Sequence, residues 1–284
     1  MGGGEAAPCS EDKMKKLLTG FIALIMALGF VAVSQPRALA ADAPESLTAY
    51  LTIALQNKEG AYDFAKAKDG TEMAAKAVQV SDVDGDGKLT AYDMLYCAHK
   101  LYAPGGLKDF ETSSAAKGMA TAKKIWNVES SFLLLDRYKQ APTSFSTNIK
   151  VGSGNAVIAS NSHLYVVQNY ESKADFFSNS TQKTMLFAND ARITAYKGQE
   201  FTLCANTFNN SKPNLAPVKK VSAAKSRDVY YKKAGAETGT KIATTPATGK
   251  ITATFDETGD YLIYTVPKDG AAPAACMVHV EENR

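Results

Sequence analysis

Residues 82–93 read DVDGDGKLTAYD and run directly into MLYCAHKLYAPGG, which ends at Gly106. Counting from Asp82, Asp84 and Asp86 take loop positions 3 and 5, Gly87 position 6, Lys88 position 7, Thr90 position 9 and Asp93 position 12. Alternating carboxylates at this spacing wrap a short loop around a hard cation such as calcium, which takes about six to eight oxygens. Asp82, Asp84, Asp86 and Asp93 offer carboxylates, Lys88 its backbone carbonyl, and Thr90 a contact made directly or through a water. Gly87 supplies the sharp turn, where a positive φ is expected. Asp stands at position 12, where Glu is usual. Leu89 at position 8 is expected to point into the core. Before the loop, AKAVQVS (Ala75–Ser81) alternates like a strand. After it, Met94, Cys97, Ala98 and Leu101 fall at i, i+3, i+4 and i+7, the mark of a helix with one buried face; His99 is then expected on its solvent side.

The EF-hand pattern is matched at each ligand position except the last, but a strand–loop–helix is not the helix–loop–helix of a calmodulin-type sensor. It resembles the calcium repeat of dockerin domains, in which one helix follows the loop. That resemblance implies docking to a cohesin through the calcium helix, although dockerins carry two repeats and DETGD (Asp256–Asp260) lacks the spacing of a second. Residues 47–175, and most specifically DVDGDGKLTAYDMLYCAHKLYAPGG and KKIWNV (Lys123–Val128), resemble exported bacterial modules that insert such a loop into a β-grasp-like domain. Those modules are related to the C-terminal domain of transcobalamin. The resemblance implies a surface or binding role rather than chemistry, with calcium mainly structural. It also implies, as an alternative, carriage of a small molecule such as a corrinoid.

Around the loop, Ser46–Gln56 alternates with Leu47, Ala49, Leu51 and Ile53 on one face, and KEGAYDFAKAKDG (Lys58–Gly70) is turn-like. Thr112-Ser113-Ser114 are expected to cap a helix running to Ile125. Trp126, the single tryptophan, is expected to anchor the core just past that helix. Residues 132–135 and 163–167 are strand-like, and KVGSGNA (Lys150–Ala156) lacks the Lys-Ser/Thr ending of a P-loop.

From Arg192 the pattern is all β. ITAYKGQEFTLCANTF (Ile193–Phe208) reads as two strands joined by a Lys197-Gly198 turn. Further strands are expected at Asp228–Lys232, Gly249–Phe255, Tyr261–Val266 and Cys276–Val280. Short strands at such intervals indicate a β-sandwich. ETGDYLI (Glu257–Ile263) resembles the tyrosine corner of immunoglobulin-like folds, with Ile263 where an antibody domain has its second Cys. Cys204 and Cys276 sit on opposite strand faces, and no bridge between them is expected.

Lys13, Lys15 and Lys16 precede an apolar run, Leu17–Val33, followed by Ala38-Leu39-Ala40: the three parts of a secretory signal peptide. MKKLL at Met14 would make a natural start, and Met1–Lys13 is expected to be a mis-set start or an upstream extension. Cleavage after Ala40 removes Cys9 and leaves Cys97, Cys204 and Cys276. No second apolar run is long enough to span a membrane. With 32 basic against 29 acidic residues, the net charge of +3 offers no concentrated basic face for nucleic acid. The 45% hydrophobic composition excludes wholesale disorder. His99, His163 and His279 lie in different elements, and no G-x-S-x-G, H-E-x-x-H or local Cys-His signature is present.

The expectation is an α+β chain: a leader (1–40), a β-grasp-like domain carrying the calcium loop–helix (41–190) and an immunoglobulin-like sandwich (191–284). It is expected to be secreted or at the cell surface, non-catalytic, calcium-binding, and to adhere to a protein or glycan partner.

Overall fold

LTAYLTIALQ is rich in β-branched and aliphatic residues and forms strand β1 (Leu47–Gln56). In a computed structural model, which describes residues 46–85, 87–113, 122–135, 162–179, 192–212 and 217–283, this strand is the centre of the first sheet. The expected leader and the KVGSGNA loop lie outside the described residues. Every described residue belongs to one compact unit, Ala43–Arg284.

Strands β2 (Tyr62–Phe64) and β3 (Lys76–Val80) pair antiparallel with successive parts of β1, Gln56 facing Tyr62 and Leu47 facing Val80. β2 arises inside the segment expected to be only a turn. The acidic loop follows β3 and leads into helix α1 (Ala91–Tyr102). A small antiparallel sheet comes next, formed by β4 (Glu111–Thr112), β5 (Ala122–Ile125) and β6 (Val128–Glu129). The helix expected from Thr112 to Ile125 is therefore not formed at its ends: Thr112 is a strand residue, and Ala122–Ile125 pairs with Val128–Glu129. The cause is the Trp126-Asn127 turn, with φ of 54° and 62°, the left-handed pair that closes a two-residue hairpin. Its pairing overrides the helical spacing of alanines upstream.

β7 (Phe132–Leu135) and β8 (His163–Gln168) complete the first sheet in the order β2-β1-β8-β7, with β3 also on β1. β8 runs parallel to β1, Ile53 facing Val166. One face, with Leu47, Ala49, Leu51, Ile53 and Val166, packs against Met94, Leu95 and Ala98 of α1. The other, with Ala54, Leu133, Leu135, Tyr165 and Val167, packs against Ala174, Phe176, Phe208 and Ala272. A sheet covered on both faces has no solvent side, which is why FLLL and HLYVV read as unbroken apolar runs.

The remaining strands form a β-sandwich. They are β9 (Lys173–Asn179), β10 (Arg192–Tyr196), β11 (Phe201–Asn209), β12 (Val221–Ala223), β13 (Asp228–Lys233), β14 (Thr240–Thr244), β15 (Lys250–Ala253), β16 (Gly259–Thr265), β17 (Ala271–Ala272) and β18 (Ala275–Glu281). One sheet has the order β10-β18-β16-β13-β14; the other is β12-β11-β9-β17, with β15 also on β11. Phe177, Leu203, Ala205 and Ile251 from the second sheet meet Val229, Ile263, Cys276 and Val278 from the first. β18-β16-β13-β14 is the G-F-C-C′ order of an immunoglobulin-like domain, with β9, β11 and β15 in the places of A, B and E. The Tyr261 hydroxyl donates to the Glu257 carbonyl at 3.0 Å, which pins the corner that ETGDYLI indicates.

Two expectations change here. β10 and β11 are not a hairpin: β10 runs parallel to β18 while β11 pairs with β9, so the Lys197-Gly198 turn carries the chain from one sheet to the other. β9, assigned by sequence to the first domain, is hydrogen-bonded along β11 and belongs to the sandwich. A buried ion pair secures this strand: Asp175 of β9 accepts from Arg227 Nε at 2.5 Å and from Thr207 Oγ1 at 2.5 Å.

Candidate metal centre

The acidic loop folds around its own carboxylates. Asp82 Oδ1 accepts the Gly85 N–H at 2.7 Å and Oδ2 the Gly87 N–H at 2.8 Å. Gly87 has φ of 78° and a Cβ there would meet nothing within 4 Å, so glycine is required by backbone conformation rather than by crowding. Asp93 anchors the far end. Its Oδ1 accepts the Val83 N–H at 2.9 Å, and its Oδ2 accepts the Thr90 N–H and hydroxyl, each at 2.7 Å. The Asp93 N–H returns to Thr90 Oγ1 at 3.4 Å, completing a capping box at the start of α1. Leu89 is buried in the core between loop and helix, as position 8 requires.

Asp82, Asp84 and Asp93 each offer a carboxylate oxygen, all within 4.8 Å of one another. Three converging anionic oxygens without nitrogen or sulfur form a donor set for a hard cation, and the residues present fit calcium. Asp86 lies outside the described residues. Lys88 is exposed beside Leu89. Thr90 is buried, and its hydroxyl is the helix N-cap, hydrogen-bonded to Asp93. Tyr92, in the first turn of α1, sits beside this charge. Burial raises its phenol above the ordinary value, and the carboxylates of Asp84 and Asp93 add to the rise.

α1 buries more than its apolar stripe. Met94, Cys97 and Ala98 are buried as expected, but Leu101 is 41% exposed and His99 is fully buried. The helix is covered on a second side by the Trp126-Asn127 turn and by Phe110, and His99 fills that contact. The Trp126 N–H donates to His99 Nε2 at 3.0 Å, so Nδ1 carries the proton and donates to the Leu95 carbonyl at 2.6 Å. The imidazole stacks on Phe110 at 4.7 Å, and burial lowers its pKa to about 4. Trp126 is a core anchor whose indole N–H donates to the Lys66 carbonyl at 2.7 Å.

His163 and His279 lie elsewhere. Thr52 Oγ1 accepts the Ala75 N–H at 2.8 Å and is hydrogen-bonded to His163 Nε2 at 2.7 Å. Burial lowers the pKa of this imidazole to about 3. His279, half-buried on β18, faces Asp260 at 2.8 Å. Cys97 and Cys276 are buried and Cys204 half-buried; all three are free thiols, with Cys204 and Cys276 in opposite sheets. Burial pushes the Cys276 thiol up.

Among the described residues no helix is long and apolar enough to cross a membrane. No family model matches the sequence, and no curated protein matches it. Among solved structures, a chimeric titin Z1Z2 tandem is similar at 14% identity, covering 43% of this chain and 56% of that one, with a TM-score of 0.22. The N-terminal four immunoglobulin domains of Dscam1 isoform 4.4 are similar at 9% identity over 61% of this chain and 46% of that one, TM-score 0.19. The extracellular domain of a one-component system protein, BT4673 from B. thetaiotaomicron, is similar at 8% identity over 81% and 30%, TM-score 0.22. The chain thus spans about half the titin tandem and less of the other two. The immunoglobulin-like description rests on strand order and the tyrosine corner.

Proposed function

We propose that this is an exported, calcium-stabilised, non-catalytic protein whose two modules present surfaces for binding or adhesion at the cell exterior. The observation that carries the metal is the convergence of Asp82, Asp84 and Asp93 within 4.8 Å, in a loop whose spacing adds Asp86 and the Lys88 carbonyl. Thr90 contributes by capping α1 and orienting Asp93. The order β2-β1-β8-β7, with a central parallel pair and one helix across a face, supports the β-grasp-like reading of the first module. Calcium is then mainly structural: it fixes the start of α1, and α1 covers the first sheet. Separation of the three histidines, two of them neutral in the core, supports a non-catalytic role.

Calorimetric titration of the full chain with calcium tests this. Heat of binding is expected, with its loss in Asp82→Ala, and unchanged heats in that variant would sink the metal site. At a calcium concentration a hundredfold above Kd, the native state gains about 2.7 kcal/mol. Terbium offers a second readout, because Tyr92 beside the carboxylates is placed to sensitise its emission.

Small-molecule carriage is the second reading, favoured by a cleft between the first sheet and the sandwich.

A further inference from the structure

Two ammonium groups from different modules meet on one carboxylate. Glu72, between β2 and β3, accepts from Lys66 Nζ at 3.0 Å on one oxygen and from Lys232 Nζ of β13 at 2.8 Å on the other. Burial works against its charge, yet the hydrogen bonds from Lys232 and Lys66 hold its carboxyl below the usual range. The triad lines a cleft of about 680 Å³, together with Tyr50, Ala77 and Met277. That volume falls in the ordinary range of small-molecule sites. Ala74, Ala75 and Leu262 also line it and belong to the apolar contact that joins the modules, so the cleft is preformed rather than assembled by its ligand.

We propose that this cleft binds a small organic carboxylate, its anionic group held between Lys66 and Lys232. An ammonium carries three N–H donors, and Glu72 takes one from each lysine. Each lysine therefore keeps two N–H donors beyond Glu72, and a carboxylate placed between them accepts from both. Both lysines are reachable, their side chains being 55% and 19% exposed. The other lysines of the cleft have partners of their own: Lys76 donates to Thr71 at 2.7 Å, and Lys233 pairs with Glu257 at 2.5 Å. Asp69, Glu237 and Asp260 line the same cleft and disfavour a more highly charged anion. A monoanion with hydroxyl or amide groups is the ligand class, and phosphate is not.

The inference deepens the binding role proposed above but does not rest on its metal. The test is calorimetric titration of the full chain with D-glucuronate and with N-acetyl-alanyl-alanine, each against its neutral counterpart, D-glucose and the dipeptide amide. Inorganic phosphate is a further arm, and every titration is repeated in EDTA. One of the two acids is expected to bind at least tenfold more tightly than its neutral counterpart, and which one does so identifies a sugar or a peptide source. Lys66→Gln, on the more exposed lysine, is expected to weaken that binding at least tenfold at unchanged melting temperature; Lys232→Gln is expected to weaken it as much, with a lower melting temperature because its ion pair with Glu72 is largely buried. Equal binding of acid and neutral counterpart, no binding of either acid, tighter binding of phosphate, or full affinity in Lys66→Gln would each overturn the proposal. Carboxylate heats that persist when calcium gives none would remove the metal and leave the cleft.

Discussion

His99 and His163 are polar residues used as core. Each is neutral and satisfied: His99 between the Trp126 N–H and the Leu95 carbonyl, His163 against the Thr52 hydroxyl. Burial lowers their pKa values to about 4 and about 3, whereas an unfolded histidine titrates near about 6.5. Below that pH the unfolded chain takes up protons that the native core refuses. The stability tied to neutral imidazole is therefore complete above about pH 6.5 and falls with acid, by about 1.4 kcal/mol per pH unit per histidine until the folded pKa is reached. Urea unfolding at pH 7 and pH 5 checks this. His163→Gln is expected to lower stability at pH 7 and to flatten the slope between the two, and an unchanged slope would assign the acid sensitivity elsewhere. His99 was not legible as core from sequence. The spacing of α1 places it opposite Met94 and Cys97, and only the distant Trp126-Asn127 turn, 27 residues on, gives it a second buried side.

At the scale of the element, the loop and α1 were the most legible part of the chain, because a metal loop and an amphipathic helix are both local patterns. Spacing identified Asp82, Asp84 and Asp93, which the fold brings together, and Gly87, whose φ is positive. It did not separate the two jobs open to Thr90, ligand or cap. The capping box shows the cap, and whether Thr90 also serves the metal is testable. Thr90→Ala is expected to cost about 1 kcal/mol, in EDTA as much as in calcium, since a cap acts whether or not metal is bound. A loss confined to calcium would return Thr90 to the ligands. The hairpin of β5 and β6 shows the opposite case. Its alanines and lysines fit a helix better than a strand, and the turn that overrides them holds a bulky Trp126 at positive φ. Three hydrogen bonds fix that turn: Trp126 N–H to His99, its indole to Lys66, and Asn127 N–H to the Asp109 carbonyl at 3.1 Å. No local propensity announces such a turn.

For the molecule as a whole, alternation indicated β10, β11, β13, β15, β16 and β18 of the sandwich and ETGDYLI its corner, but β9, β12, β14, β17 and the strand partners were not legible. Pairing of β1 with β8, of β9 with β11 and of β10 with β18 depends on surfaces far apart in sequence. The same long-range pairing joins the modules. Leu133, Tyr165 and Val167 of the first sheet share a core with Phe176 and Phe208 of the sandwich. The Tyr165 hydroxyl donates to the Pro273 carbonyl at 2.5 Å, and Phe64 meets Tyr264 edge-on at 6.4 Å. Neither module can lose its structure without uncovering an apolar face of the other, so unfolding is expected to be a single cooperative transition. The sequence supplies the means to check it. Trp126, the single tryptophan, reports only on the first module, while circular dichroism reports on the strands of both. In calcium the two signals are expected to trace one curve with one midpoint, and Tyr165→Ala is expected to lower that midpoint for both, by about 3–5 kcal/mol of stability if it behaves as a buried aromatic truncation. Two separated midpoints, or a Tyr165→Ala loss seen by tryptophan alone, would mean that the shared core does not couple the modules. The carboxylate cleft would then be a contact between independent domains rather than a preformed site.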